Sequence, residues 1–131
     1  MREHWLKGIG HAGASIPEAW LAERASVLSR TGFPRRPRIA PDDRLVYYAA
    51  GWRRVFAIVE VVAEPTDRVS GSARWPWTVE VEPLLVVPHM ENAPPVEAIG
   101  VAARSMSQQS HIRLSEEHYE RAVEALAGVA L

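Results

Sequence analysis

The chain of 131 residues contains no cysteine. A disulfide framework and a thiolate metal site are therefore both excluded. Its histidines, His4, His11, His89, His111 and His118, show neither the HExxH spacing nor any other spacing typical of a metal site. We therefore expect no bound metal and no other cofactor.

Long apolar runs are also missing. No stretch reaches the roughly 18 apolar residues of a membrane-spanning helix, and the N-terminus lacks the apolar core of a signal peptide. We therefore expect a soluble, cytoplasmic protein without membrane contact. Hydrophobic residues still make up 47% of the chain. This is enough for one packed core, and the length fits a single domain over residues 1–131.

The motifs of common catalytic sites are absent as well. The segment "GIGHAG" at 8–13 has glycines, but it lacks the spacing of a dinucleotide site or a phosphate-binding loop. No nucleophile elbow occurs. Glu80 and Glu82 share a strand face, where alternating acids are usually solvated rather than paired for acid–base catalysis. The sequence therefore predicts a protein that is not an enzyme.

Lysine is almost absent, because arginine supplies every basic residue except Lys7. Residues 1–54 carry ten basic side chains against five acidic ones, whereas residues 76–131 carry three against eight. One interpretation is a composition bias towards arginine codons. The other is a basic face for phosphate groups, which arginine can bind with two parallel hydrogen bonds. The arginines predicted for this face are Arg30, Arg35, Arg36, Arg38, Arg53 and Arg54.

Strand patterns dominate the first two thirds of the chain. The predicted strands span 4–10, 44–50, 54–64 and 78–82. The third is expected to be central, because its β-branched run suits burial on both faces. In the last, alternation points Val79 and Val81 inward, and Pro83 predicts a bulge or an edge position.

A helix is predicted near each end. The stretch "SIPE" resembles a capping box, so we expect a first helix from Ser15 to about Arg30, with Gly32 as its stop. The prolines of 32–43 predict an extended connector. The second helix is predicted over 115–127. Its apolar stripe comprises Tyr119, Ala122, Val123, Leu126 and Val129. Strands flanked by helices predict an α+β domain built on a small barrel.

The tryptophans suggest a binding surface. Trp5 and Trp20 fall in regular elements and are predicted to lie in the core. Trp52, Trp75 and Trp77 lie in or beside turns, where each either joins the core or lines a pocket for a flat base. Stacking on an aromatic side chain contributes about 1–3 kcal/mol per base.

Pro76 separates two of these tryptophans in an extended segment. Side chains alternate along such a segment, so Trp75 and Trp77 are predicted to face the same side. We expect Trp77 to cover the core. We expect Trp75 to form the wall of a pocket, with Lys7 and the segment 107–111 opposite.

Four stretches, "HWLKGIG", "DRLVYYAAGWRRVFAIVEVVAEP", "RWPWTVEVEPLLVVP" and "MSQQSHIRLSEEHYERAVEAL", together cover nearly the whole chain. Their order and spacing resemble the EVE domain of the PUA-like superfamily. The resemblance implies a mixed-strand pseudo-barrel with flanking helices. EVE domains are similar to YTH domains, which hold N6-methyladenine of RNA in an aromatic cage. EVE domains themselves are implicated in binding modified DNA bases such as 5-methylcytosine.

The resemblance implies a pocket between the first strand, the middle strands and the segment before the last helix. The corresponding positions are Lys7, Gly8 and Ile9; Tyr48, Trp75 and Trp77; and Ser107, Gln109, Ser110 and His111, with Trp52 as a further candidate because of its turn position. Two departures from the EVE pattern allow a different ligand. Here "KGIGHAG" stands in place of "K-S-E-P", and "AAGW" in place of a strand ending in "H-S".

The function that this implies is recognition of a modified DNA or RNA base flipped into an aromatic pocket. Burying one methyl group adds only about 0.8 kcal/mol, so hydrogen bonds to the base edge must provide most of the discrimination. An alternative is the binding of a small molecule or modified nucleoside, as in the related ASCH domains. That alternative includes hydrolysis, with a desolvated Lys7 as base or electrophile. An interaction module is a third possibility.

Overall fold

In the computed structural model, six strands form one mixed sheet that curls into a half-barrel. The structure describes residues 2–10, 14–67 and 75–130. The strands are β1 (His4–Ile9), β2 (Arg30–Phe33), β3 (Arg44–Ala49), β4 (Arg54–Val61), β5 (Trp77–Val86) and β6 (His111–Leu114). The helices are α1 (Trp20–Arg24) and α2 (Glu116–Ala127).

The strand order across the sheet is β2-β5-β4-β3-β1-β6. Strands β1 and β3 run parallel, and the other neighbouring pairs are antiparallel. Helix α2 packs against β4, β5 and the 3-10 turn Val96–Ile99. The predicted α+β class and the mixed pseudo-barrel with flanking helices are confirmed.

Strand β4 lies between β3 and β5, as its β-branched run predicted, although it ends at Val61 and not at residue 64. In β5, Val79 and Val81 are buried while Glu80 and Glu82 are exposed. The predicted irregularity at Pro83 is also present. The pairing with β4 shifts register there, because Val59 lies opposite Pro83 and Ile58 lies opposite Leu85.

The prediction for residues 15–32 was wrong in three respects. Helix α1 begins at Trp20 without a side-chain cap and gives way to a 3-10 turn at Ala25–Leu28. Ser15 is therefore not its N-cap, and Ile16 is instead buried and accepts a hydrogen bond from Trp52 Nε1 at 2.8 Å. Gly32 does not stop a helix. It lies inside β2, because pairing with β5 overrides the local helical pattern.

The C-terminal prediction holds with two corrections. Ser115 Oγ accepts the backbone N–H of His118 at 3.0 Å and caps α2 as predicted. Its apolar face buries Tyr119, Ala122 and Leu126. Val129, predicted to continue this stripe, lies beyond the helix end and is 44% exposed. Strand β6, which was not predicted, directly precedes the helix and pairs with β1.

Trp5 and Trp20 lie in the core, as predicted, with exposed fractions of 6% and 0%. The indole N–H of Trp20 donates to the carbonyl of Val87 at 2.8 Å. Its ring meets Phe56 edge-on at 4.8 Å between centroids. Each buried indole therefore has a polar partner, since Trp5 donates to the carboxylate of Asp43.

The buried carboxylate of Asp43 fixes the start of the parallel pair β1–β3. Its Oδ1 accepts the backbone N–H of Glu3 at 3.0 Å. Its Oδ2 accepts Trp5 Nε1 and the backbone N–H of Ala40, both at 3.1 Å. Asp43 is 1% exposed, so these three donors satisfy a charge that water cannot reach.

Asp43→Asn should lower the free energy of unfolding by about 2–3 kcal/mol, because an amide would turn an N–H towards a buried donor and remove the charge. The adjacent exposed Asp42 offers a matched control. Asp42 has a left-handed backbone, φ 76°, which Asn tolerates, so Asp42→Asn should change stability by less than about 0.5 kcal/mol. Urea unfolding measures both variants. Equal effects at the two positions would contradict the assigned role of Asp43.

Candidate functional site

A cleft of about 890 Å³ opens beyond the end of β1. We call it the loop cleft, because the segment 106–110 supplies much of its lining. Tyr48 and Trp75 supply its aromatic surface. Its remaining lining residues are Gly8, Gly10, Pro34, Ala50, Gly51, Arg53, Ala103 and Arg104. The volume falls in the range of small-molecule pockets.

The segment 106–110 is held against β1 by backbone contacts. Gly8 N–H donates to the carbonyl of Ser110 at 2.9 Å, and Gln109 N–H donates to Met106 at 3.2 Å. Met106 is buried, whereas Ser107 and Gln109 are exposed. The fold therefore anchors this wall through its backbone and leaves hydroxyl and amide groups available to a ligand.

Two non-glycine residues of the loop cleft have a left-handed backbone. Arg53 has φ 58° and Gln108 has φ 60°. Such conformations are uncommon outside glycine, and they persist where the surrounding structure imposes them. The carbonyl of Arg53 accepts the N–H of Val96, and its own N–H donates to Ala49 at 2.9 Å. The turn that carries Arg53 is thus fixed from both sides.

A second cleft of about 450 Å³ shares Gly8, Gly10 and Trp75 with the loop cleft. We call it the arginine cleft. Basic side chains line it at three positions, Lys7, Arg24 and Arg30. Its other lining residues are Ile9, Ala14, Ile16, Ser26, Val27, Thr31, Gly32 and Thr78. Within the part of the chain that the structure describes, no acidic side chain lines either cleft.

Gly32 allows Trp75 to lie against β2. A Cβ atom at position 32 would lie 3.0 Å from Cβ of Trp75, closer than real Cβ atoms normally approach. A larger residue at position 32 would therefore require Trp75 to shift by a few tenths of an ångström. The shared wall of the two clefts depends on this glycine.

Lys7 is 3% exposed, and its Nζ donates to the carbonyl of Gly8 at 2.7 Å. The same Nζ lies 4.8 Å from the ring centroid of Phe33 and 5.5 Å from that of Trp75. No carboxylate among the described residues forms an ion pair with it. Burial lowers the pKa of Lys7 to about 8, because the charged amine loses its hydration.

His111 packs beside this amine on β6. Its Nδ1 lies 2.6 Å from Ser110 Oγ, and its ring meets Phe33 edge-on at 5.0 Å. Burial lowers the pKa of His111, and the neighbouring Lys7 lowers it further. A neutral imidazole beside the lysine is thus favoured at pH 7.

The structure brings most of the predicted pocket residues to the two clefts. Those that line the loop cleft are Gly8, Tyr48, Trp75, Ser107, Gln109 and Ser110. Lys7 and Ile9 line the arginine cleft instead. Trp75 and residues 107–110 line the same cleft, whereas Lys7, predicted to lie with that segment, lines only the arginine cleft.

Three predicted pocket residues line neither cleft. His111 lies near enough to Lys7 for the lysine charge to lower its pKa, but it is not part of either lining. Trp52 donates its indole N–H to Ile16 and packs against the core. Trp77 also packs against the core, as predicted, although it is only half-buried, and the guanidinium of Arg36 lies 5.4 Å from its ring centroid.

The predicted phosphate face divides into different environments. Arg35, Arg36 and Arg38 are exposed, and Arg53 is exposed beside the loop cleft. Arg54 does not fit this face. Its Nη1 donates to the carbonyls of Met90, Glu91 and Ala93 at 3.0, 2.9 and 3.2 Å, so the guanidinium holds the chain before the turn at 96–99.

Six lining residues with a polar, charged or thioether side chain were not predicted: Arg24, Ser26, Thr31, Thr78, Arg104 and Met106. Gln108 was predicted only as a member of the segment 107–111. Arg24 and Arg104 reach the clefts through a short helix and a 3-10 turn whose positions depend on tertiary packing.

The described helices are all too short or too polar to cross a membrane. Over residues 2–10, 14–67 and 75–130, no three His, Asp or Glu side chains gather closely enough to hold a metal ion.

The buried amine of Lys7 predicts a particular pH dependence. The pKa in the folded protein, about 8, lies below the ordinary 10.5, so the unfolded chain binds more protons between these pH values. The free energy of unfolding should therefore rise with pH in this window, by up to about 3 kcal/mol. Lys7→Met should abolish this rise, whereas Arg30→Met, at an exposed position in the same cleft, should retain it.

Urea unfolding of the three proteins at several values from pH 7.5 to 10.5 measures this difference. Tyrosine titration affects all three alike, and His111 titrates below the window. A pH-independent difference between wild type and Lys7→Met would show that the amine is not desolvated.

No family model and no curated protein matches this sequence. Solved structures do match. The YTH domain of Mmi1 has a TM-score of 0.64 and 8% identity, over 97% of this chain and 76% of its own. Human THYN1, in complex with DNA containing 5-methylcytosine, has a TM-score of 0.58 and 10% identity, over 93% of this chain and 96% of its own.

ZmASCH from Zymomonas mobilis, solved as a mutant, has a TM-score of 0.57 and 11% identity, over 99% of this chain and 100% of its own. Identities this low show a shared fold and no more. At that level this chain shares the fold of the YTH domain, THYN1 and ZmASCH, an α+β pseudo-barrel of the kind that the sequence resemblance implied.

Proposed function

We propose that this protein is a nucleic-acid-binding module that holds one unpaired, modified base in the loop cleft. The observation that carries the proposal is the composition of this cleft. It combines two aromatic side chains, Tyr48 and Trp75, with exposed hydroxyl and amide groups of 107–109 and with Arg53 and Arg104. A base needs an aromatic surface and edge partners, and its phosphates need cations.

Trp75 provides the stacking surface. Gly32 leaves room for it against β2, and it lines both clefts. A rigid indole loses little conformational entropy when a base stacks on it, so most of the stacking energy contributes to affinity.

Edge recognition falls to the opposite wall. Ser107 and Gln109 are exposed in the cleft, and an amide can donate and accept at once. A base that leaves a buried partner unpaired loses about 1–3 kcal/mol, more than the roughly 0.8 kcal/mol of one methyl group. These groups therefore select the base, and a methyl group adds a smaller preference.

The fold relatives support this assignment. THYN1 was solved with DNA containing 5-methylcytosine, and its fold covers nearly this whole chain. The YTH domain of Mmi1 shares the fold as well. Because a relative with this fold was solved with a methylated base, a base is the ligand that we propose for the loop cleft. Because the base must leave its stack, single-stranded DNA or RNA should bind more tightly than duplex.

A second candidate is a free modified nucleoside or other small molecule. The observation that favours it is Lys7, an amine with a pKa near 8 beside a cleft, on a fold shared with ZmASCH. Titration with labelled single-stranded DNA and RNA at two salt concentrations separates the candidates. A steep decrease of affinity with salt supports nucleic acid, whereas nucleoside binding that is insensitive to salt supports the second candidate.

Trp75→Ala should weaken binding of a modified oligonucleotide by about 1–3 kcal/mol, the contribution of one stacked base. Trp77→Ala is the matched control, because this indole lies outside both clefts and packs on the core. It should keep the affinity but reduce stability, by less than the roughly 3–5 kcal/mol of a fully buried aromatic. Fluorescence anisotropy and thermal melting measure the two effects. A large, equal loss of melting temperature in both variants would place both tryptophans in the core.

Replacing Arg35, Arg36, Arg38 and Arg53 together by alanine should weaken binding of every oligonucleotide sequence to a similar degree. It should also reduce the slope of log affinity against log salt concentration by about one unit for each phosphate that an arginine no longer neutralises. Arg121→Ala serves as control, because Arg121 is exposed on α2 and pairs with Glu117. An unchanged slope in the quadruple variant would leave composition bias as the explanation of the arginines.

A further inference from the structure

The arginine cleft has an unbalanced charge. Lys7, Arg24 and Arg30 line it, and no acidic side chain does so among the described residues. Arg24 and Arg30 are exposed and can turn towards a ligand, whereas Lys7 is buried and fixed. Three cations around a cavity of about 450 Å³ attract an anion of matching size.

Lys7 is the strongest part of this argument. Its Nζ has three N–H donors, and the described residues provide one hydrogen-bond acceptor, the carbonyl of Gly8. A buried ammonium without a carboxylate partner is costly, and proteins normally pair or bind such a charge. An anion in the arginine cleft would provide the missing partner.

The position of the cleft indicates which anion. It shares Gly8, Gly10 and Trp75 with the loop cleft, so the two cavities adjoin at these residues. A ligand with a flat group in one cavity and a compact anion in the other has the form of a nucleotide. Guanidinium groups bind phosphate oxygens in pairs, which suits Arg24 and Arg30.

We propose that the arginine cleft is a phosphate-binding subsite, in which Lys7, Arg24 and Arg30 hold a phosphate attached to the nucleotide whose base occupies the loop cleft. This assignment rests on the proposed function, because the base defines which nucleotide is meant. The phosphate belongs either to a free nucleotide or to the backbone of a strand. The chemistry of the subsite is the same in both cases.

The test compares ligands with and without a phosphate. Calorimetry measures the dissociation constants of 5-methyl-2′-deoxycytidine and N6-methyladenosine, of their 5′- and 3′-monophosphates, and of trinucleotides with the same central base. The variant is Arg24→Ala/Arg30→Ala, which keeps the loop cleft intact. Arg113→Ala/Arg121→Ala is the matched control, because these exposed arginines lie outside both clefts and outside the predicted phosphate face.

We expect one monophosphate of the preferred nucleoside to bind wild type at least about tenfold more tightly than the nucleoside, as charge-assisted hydrogen bonds predict. The Arg24/Arg30 variant should bind the nucleoside as wild type does but lose this advantage, and the control should keep it. A trinucleotide that binds more tightly than either monophosphate identifies the strand as the source. Equal or weaker trinucleotide binding identifies a free nucleotide.

Other results would overturn one proposal and not the other. If nucleosides bind but a phosphate adds nothing, the subsite is wrong and the proposed function stands. If no nucleoside or oligonucleotide binds, while inorganic phosphate binds and depends on Arg24 and Arg30, the subsite stands and base recognition fails. If no ligand binds at all, both are wrong.

The contribution of Lys7 can be separated through pH. The groups that face its amine are the carbonyl of Gly8, Phe33 on β2, Trp75 and His111 on β6, with Arg24 and Arg30 across the cleft. Arginine stays charged throughout, and His111 titrates below pH 7. The advantage of the monophosphate should therefore decrease as the pH rises above 8 in wild type. An advantage that is constant from pH 7 to pH 10 would exclude Lys7 from the subsite.

Discussion

The parallel pairing of β1 with β3 depends on the buried carboxylate of Asp43. It accepts three N–H groups from the start of β1, from the indole of Trp5 and from the turn before β3. Once this end is fixed, the register of the pair brings Lys7 opposite Tyr47 and Gly8 opposite Tyr48. A slip by one residue would move each side chain to the other face of the sheet. The two clefts therefore depend on a contact at the far end of the strand that they share.

The sequence predicted those parts of the fold that local patterns determine. The β-branched run of β4, the alternation of β5 and the cap of α2 each define an element from their own residues. The stretch from Ser15 to Gly32 did not follow its local pattern. There β2 pairs with β5, and the carbonyl of Ile16 accepts a hydrogen bond from the indole of Trp52. Contacts between residues so distant in sequence leave no periodic signal.

The candidate site shows the same division. Trp75 could be predicted from its position beside a turn and from the alternation of side chains along an extended segment. The segment 107–110 could be predicted from the resemblance to EVE domains, and both do line the same cleft. The separate environment of Lys7 could not be predicted, because Trp75, which lines both cavities, is placed by its close approach to Gly32. Nor could the sequence distinguish Arg53 from its neighbour Arg54. One borders the loop cleft, and the other holds three carbonyls of the protein itself.

The burial of Lys7 opposes folding, because a desolvated ammonium without a carboxylate partner lowers the stability of the native state at neutral pH. A methionine would fill the same space without that loss. Stability alone therefore does not explain a lysine between Phe33 and Trp75. A buried amine that lowers stability and lines a cavity has a physical explanation if a bound ligand supplies the partner that the amine lacks in the free protein. The same amine that weakens the free protein would then strengthen the complex, and the loss in folding is recovered on binding.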